Sequence, residues 1–411
     1  MNTLIRSRIS VVAAFLVPGF VLGMYAVNIP GLKEHADLTS GALGSVFVFG
    51  GVGAIVGNQL AGFAVDRFGS RIVTIVGAVL TCLAIVPPAF APSAFALAPL
   101  LFVFGIALGG VDVGMNQQAV IVQRAYGRPI MASFHAFYSI GGALGTVLGG
   151  SLLLLGLPLV LSLTLAGLVG LVFVIVAATG LSSADVADAP AAVGGTPEGK
   201  HHMPRIVWLL GFAALLLMLS EGVANDWSSL QITQRLGEPP AVAALGYGAF
   251  AVAMTVARLF GDRVAGRLGA VRTVRFGALI GAVGLAIIVL SPWLPLTIAG
   301  WAILGLGLSG CVPQIFTAAG NVPTSARGVV MSRVVALGYF GLLAGPAVIG
   351  WTSQVTSISA ALVIPLVCCL VVAAIANVVR PRPVPEAVPE VLEGLEGLGV
   401  EQPRGAAVGV E

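Results

Sequence analysis

The stretch Gly105 to Gln118 reads GIALGGVDVGMNQQ and places one acid, Asp112, inside a long apolar run. On a helix, Gly105, Gly109, Asp112 and Asn116 follow at steps of four, three and four residues and so share one stripe. Glycines on such a stripe let a second helix approach closely. A carboxylate at the centre of a membrane-spanning helix costs about 2.5–3.5 kcal/mol on insertion scales unless it faces a partner or water. A small, polar stripe on an apolar helix therefore predicts a helix that faces a bundle interior or cavity.

The composition supports a membrane setting for that helix. Of 411 residues, 58% are apolar and 9% charged, with a mean hydropathy of +1.04. A soluble domain has about 25% charged residues, and this chain lacks the polar groups to cover a water-exposed surface. Polytopic membrane protein is the class that fits. The 55 glycines suit closely packed helices. Cys82, Cys311, Cys368 and Cys369 all lie in apolar segments without metal-ligand spacing, and read as packing residues. Arg6 and Arg8 precede an apolar run as in a signal peptide. That run is long and lacks a small-residue cleavage site, so it reads as a retained first span.

About 20 apolar residues cross a bilayer. Helices are predicted over 9–30, 41–63, 72–91, 95–120, 130–153 and 158–180, and again over 206–227, 241–260, 273–291, 296–317, 328–349 and 357–379. The domain reading is a six-helix bundle over 1–181, a polar linker over 182–205, a second six-helix bundle over 206–380 and a disordered tail over 381–411. With the N-terminus inside, Lys33 and Arg235 are the basic residues left outside, and every other Lys and Arg falls on the inner side. That bias predicts an even number of spans with both termini cytoplasmic. Trp227, Trp293 and Trp351 fall near predicted outer ends, where an aromatic belt belongs.

The halves also echo each other. At an offset of 200 residues Arg67 and Gly69 meet Arg267 and Gly269; Gly105 and Gly110 meet Gly305 and Gly310. Met131, Gly141, Gly145 and Gly150 likewise meet Met331, Gly341, Gly345 and Gly350. Six spans repeated in one orientation place a pseudo-twofold axis along the membrane normal.

Between the second and third spans stands Gly62-Phe-Ala-Val-Asp66-Arg67-Phe-Gly69-Ser-Arg71. This resembles the cytoplasmic signature of the major facilitator superfamily, and the resemblance extends over all twelve spans. It implies an all-α fold of two six-helix bundles around a central cavity, and a latch of Gly62, Asp66, Arg67, Gly69 and Arg71 that holds the halves in an outward-facing state. The second copy departs from the pattern. Gly266 stands where Asp66 would be, and Asp262 beside Arg263 supplies the acid instead. In the fifth span Gly141, Gly145 and Gly149 are similar to the superfamily's antiporter motif, with Thr146 in place of its proline. Gly345 and Pro346 keep that proline in the other half. Glycine packing explains the same residues. An acid in the fourth span is similar to the arrangement in fucose-permease-like proton symporters.

The resemblance implies secondary active transport of a small solute, sugar-like or otherwise hydroxylated, by proton symport. Asp112 is the expected proton carrier, with Glu221 and His135 as further proton-coupling candidates. A His135–Asp112 pair would relay protons, or tie the fourth and fifth spans together by a hydrogen bond. Tyr25, Asn28, Asn116, Asn225 and Gln314 are candidates for the substrate cavity; Asn58, Gln59 and Arg333 are other polar residues in or near spans. Amides there suit hydroxylated solutes, and equally serve as interhelical links of about 0.6 kcal/mol. Proton-coupled efflux of amphipathic compounds is the alternative, and a membrane sensor without transport a more remote one. Two nucleotide-site look-alikes, Gly194 to His201 (GGTPEGKH) and Gly305 to Gly310 (GLGLSG), lack a preceding strand. No enzyme activity, cofactor, metal or nucleic acid is expected. The expected partners are the solute, protons and the bilayer of a bacterial inner membrane, around a monomer.

Overall fold

The computed structural model of the chain describes residues 3–38, 40–183, 203–324 and 326–381. Twelve long helices run through them: α1 (Thr3–His35), α2 (Ser40–Phe68), α3 (Ser70–Ala84), α4 (Ala94–Tyr126), α5 (Met131–Leu154), α6 (Leu159–Ala178), α7 (Arg205–Leu236), α8 (Pro240–Leu268), α9 (Ala270–Leu290), α10 (Leu294–Gly320), α11 (Arg327–Val355) and α12 (Ile358–Val379). Eleven are long and apolar enough to cross a membrane; the exception is α8, which carries Arg258, Asp262, Arg263 and Arg267. Apart from its ends, the linker expected over 182–205 lies outside the described residues. The tail beyond Pro381 does too, as does the GGTPEGKH segment.

Most helices run past the expected boundaries. Counting apolar residues finds the part in the hydrocarbon core, whereas backbone hydrogen bonding continues into the polar interface. Prolines set the interruptions. The α3 helix ends before Pro87 and Pro88, which open a short 3₁₀ turn. The α10 helix breaks at Ser309 and Gly310, where Pro313 in the next segment offers no N–H to the Ser309 carbonyl.

The repeat seen in the sequence is a repeat of contacts. In the first half α1 packs on α5 and α6, α2 on α4, and α3 on α4 and α6. In the second, α7 packs on α11 and α12, α8 on α10, and α9 on α10 and α12. The atoms correspond as well. A Cβ on Gly105 would run into the Gly50 carbonyl of α2, and one on Gly305 into the Phe250 carbonyl of α8. Gly69 and Gly269 recur for a different reason. They turn the chain between α2 and α3 and between α8 and α9 with φ of +84° and +76°, a backbone that side-chain-bearing residues avoid. Between the halves, α2 lies against α11 and α5 against α8, again as counterparts.

Candidate functional site

The stripe on α4 divides its work. Gly105 and Gly109 press on the α2 carbonyls of Gly50 and Ala54. One turn further in, Asp112 is 8% exposed, and Asn116 Nδ2 donates to its Oδ1 at 3.0 Å and to its backbone carbonyl at 2.9 Å. Its carboxylate also lies within electrostatic reach of the Tyr339 hydroxyl of α11. The one acid in the α4 span thus lies next to the opposite half of the molecule.

A second charge cluster adjoins it. Arg258 of α8, 8% exposed, lies 3.7 Å from Glu221 Oε1 of α7 and donates to Ser139 Oγ of α5 at 2.9 Å. Tyr138 of α5 sits within electrostatic reach of Asp112, Glu221 and Arg258, and Tyr339 within reach of Asp112, Tyr138 and Glu221. Five helices from both halves therefore gather two carboxylates, one guanidinium and two phenols. Such groups strengthen one another's fields at low local dielectric, and each is expensive to leave unpaired.

The sequence candidates are distributed unevenly around this cluster. Asp112, Asn116 and Glu221 belong to it. His135 does not pair with Asp112: its ring lies between Phe15 of α1 and Phe316 of α10, and its Nε2 is buried without a hydrogen-bond partner. The expected His–Asp pair is replaced because α5 packs on α1, which turns the His135 ring to that wall, while Tyr339 takes the place beside Asp112. Tyr25 packs on Phe47 and Phe104. Asn28 donates to the Met24 carbonyl and to Ser162 Oγ of α6, an interhelical tie within one half. Asn225 is exposed near the far end of α7. Gln314 lines a separate small cavity of about 60 Å³ with Thr317, Asn321 and Arg380. Arg258, Ser139, Tyr138 and Tyr339 were not among the candidates. One signal pointed to Arg258: it is the 200-residue counterpart of Asn58, a polar residue already noted inside a span.

All hydrogen bonds that join the halves, among the described residues, lie at this depth or toward the end of the bundle where α1 begins. Asp66, at the end of α2, accepts from the backbone N–H groups of Gly328 (2.6 Å) and Val329 (3.0 Å) in the first turn of α11. Gly62 makes room for that contact, because a Cβ there would strike Ser332. Asp262, at the matching end of α8, accepts from Ala132 (2.9 Å) and Ser133 (3.1 Å) in the first turn of α5. Each carboxylate satisfies orphan donors at the positive end of a helix in the other half. Arg67 lies over the Phe68 ring, and Arg71 reaches Ser183 and the Ala178 carbonyl. Arg124 of α4 donates to Asn321 Oδ1 at 2.6 Å and to the Gly320 carbonyl at the end of α10, and Gln123 donates to Thr317 at 3.1 Å. Arg333 donates to Gln59 Oε1 across the α2–α11 contact.

The antiporter-like glycines face α1, not the charge cluster. Gly141 and Gly145 abut the carbonyls of Leu16 and Phe20, and Gly149 abuts Met24 and Val27. Gly341 and Gly345 make the same approach to Leu215 and Leu219 on α7. The side chain of Pro346 lies outside the described ones. No group of three or more His, Cys, Asp or Glu that could hold a metal occurs among the described residues, where the four cysteines are free and buried.

Comparison with known proteins agrees with this architecture. The chain is 33% identical to an MFS-type transporter of Yersinia pestis over 91% of its own length and 96% of the relative's. It is 30% identical to the transporter y4wD of Sinorhizobium fredii over 86% and 93%, and 29% identical to the membrane protein MosC of Rhizobium meliloti over 85% and 84%. Among solved structures it resembles the major facilitator transporter FucP in its outward conformation, with a TM-score of 0.76 and 15% identity over 91% of this chain and 98% of that one. The proton:xylose symporter XylE gives a TM-score of 0.70 at 13% identity, covering 91% and 95%. The sequence profile of the Major Facilitator Superfamily matches residues 11–220 and 210–404, and the chain is a multi-pass membrane transporter of that family.

Proposed function

We propose that this transporter moves a small hydroxylated solute together with protons, by alternating access between its two halves. The observation that carries this reading is Asp112, a buried acid in an apolar span that lies within electrostatic reach of a tyrosine of the other half. A proton on Asp112 removes the charge that is costly to enclose in a low-dielectric bundle. Loss of that proton restores the charge and favours the state in which water reaches it. Its closeness to Tyr339 makes the same proton felt at the seam that must open and close. Arg258, shared between Glu221 and Ser139, keeps the neighbouring charge balanced across that seam. Two structural neighbours are proton symporters of the sugars fucose and xylose, which supports the solute class proposed here.

The bundle end that carries Asp66, Asp262 and Arg124 is the cytoplasmic one, by its excess of arginine, and both termini lie there. The contacts that close that end support an outward-facing reading of this conformation. The membrane is a bacterial inner membrane, the chain acts as a monomer, and the domain limits are those read from the sequence.

The test is Asp112→Asn in proteoliposomes. Accumulation driven by an inward proton gradient should fall at least tenfold, while solute exchange without a gradient persists. Full retention of driven accumulation would remove Asp112 from the coupling.

A further inference from the structure

A small cavity of about 60 Å³ lies at the cytoplasmic end of the second half, apart from the charge cluster. Gln314, Thr317 and Asn321 line it from the end of α10, Ala270 from the start of α9, and Arg380 from just past α12. Gln314, Thr317 and Asn321 follow at steps of three and four residues and so share one helix face. The Asn377 backbone carbonyl accepts from the Arg380 N–H at 3.0 Å, and its side-chain oxygen accepts from Arg275 Nη2 at 3.3 Å. That pair of bonds sets the turn from which Arg380 projects.

The lining has a sign. A guanidinium meets the first residue of a 21-residue helix, whose leading amides carry partial positive charge, and no Asp or Glu lines the cavity. Thr317 Oγ already accepts from Gln123 Nε2 at 3.1 Å, which leaves its own O–H to donate. Gln314, 4% exposed, adds an amide. The volume is far below the roughly 300 Å³ or more of a pocket for a whole small molecule, so the cavity takes a small anionic group. We infer that it is a site for a phosphate oxyanion, supplied by a phospholipid headgroup or by free phosphate. Arginine pairs with phosphate through two parallel hydrogen bonds, and basic pockets between helices on the cytoplasmic side suit phospholipid head groups.

The same wall belongs to the seam between the halves. Asn321 Oδ1 accepts from Arg124 of α4, as Thr317 does from Gln123. An oxyanion that takes the Thr317 proton makes that oxygen a stronger acceptor for Gln123. Binding therefore favours the closed end, whatever solute the protein carries.

The test uses the full-length protein in detergent and two probes. Phosphatidylglycerol binding is read by native mass spectrometry, and inorganic phosphate binding by calorimetry against chloride at equal ionic strength. Arg380→Gln removes the charge, and Ala318→Leu fills the cavity while keeping every charge. Each, checked as monodisperse, should weaken binding about tenfold or more. Arg272→Gln removes an exposed arginine of α9 that does not line the cavity, and should change binding by less than about twofold. Phosphate binding with this pattern identifies a free oxyanion as sufficient; phosphatidylglycerol binding without phosphate binding identifies the lipid, and either supports the site. Binding of neither probe, or an equal loss in Arg272→Gln, would overturn it. Spin labels on Ala125 and Pro323 should show a larger closed population when the probe is bound; an unchanged distribution would overturn the link to the seam.

Discussion

The two latches at the termini end make the same bond from different sequence positions. Asp66 of α2 caps the first turn of α11, and Asp262 of α8 caps the first turn of α5. Aligned by the repeat, the acid is one turn earlier in the second copy, and the amides it meets are one turn later in the repeat, because α5 begins at Met131 where the counterpart of Arg327 would be residue 127. The two shifts compensate, like a slide of about 6 Å along the helix axes at 1.5 Å per residue. Gly62 and Ser332 show the same slide from the other side. They touch in the first copy at the positions that correspond to Asp262 and Ala132 in the second. What persists is a carboxylate at a helix N-terminus in the opposite half, and not a letter at a fixed position.

Breaking both latches is expected to have the largest effect. A hydrogen bond to a charged group contributes about 1.5–3 kcal/mol, so Asp66→Asn with Asp262→Asn should weaken the closed end by about 3 kcal/mol or more. Spin labels on the exposed positions Ala125 and Pro323, in the two halves, should report a longer distance population that dominates over the closed one. Each single variant should open that end by about half as much in free energy, and the two should be alike. A silent Asp262→Asn beside a strong Asp66→Asn would show that the second latch is only a contact.

A smaller effect is expected at the turns. Gly69→Ala and Gly269→Ala each force a side chain into positive φ, at about 1–2 kcal/mol. Both should lower thermal stability in detergent by a similar amount, without moving the labels. Smallest of all is a transplant. Adding Gly266→Asp to Asp262→Asn restores the first copy's register on α8, yet leaves the acid a turn away from the α5 amides. It should not re-close the end; rescue would contradict the slide.

Much of this was legible in the sequence. Twelve apolar stretches with basic residues at one set of ends fix the helices, and the shared register of the glycines fixes the pseudo-symmetry. Asp112 stood out because a lone acid in hydrocarbon demands a reason. Arg258 did not, because counting apolar residues ends its helix near 260 and turns it into a surface charge. The helix runs on to Leu268, which leaves Arg258 at mid-depth beside Glu221. Tyr138 and Tyr339 carry no signal of their own, since a phenol in a span is ordinary until a carboxylate is placed against it. His135 was legible as a buried group, but its setting was not: the ring packs on Phe15 and Phe316 and lies within electrostatic reach of Arg258, not paired with Asp112. The second latch was readable as a displaced acid, Asp262 for the missing aspartate at 266, but its amide partners on α5 were not.

Proton coupling through Asp112 is the claim on which the rest turns, and it is tested most directly by internal pH in proteoliposomes holding a trapped dye. Hydroxylated solutes, sugars and sugar acids among them, are added outside one at a time, with wild-type protein and with Asp112→Asn. One such solute should acidify the interior with wild-type protein and leave it unchanged with the variant. Solute uptake without any pH change, or alkalinisation on adding lipophilic cations, would contradict proton symport.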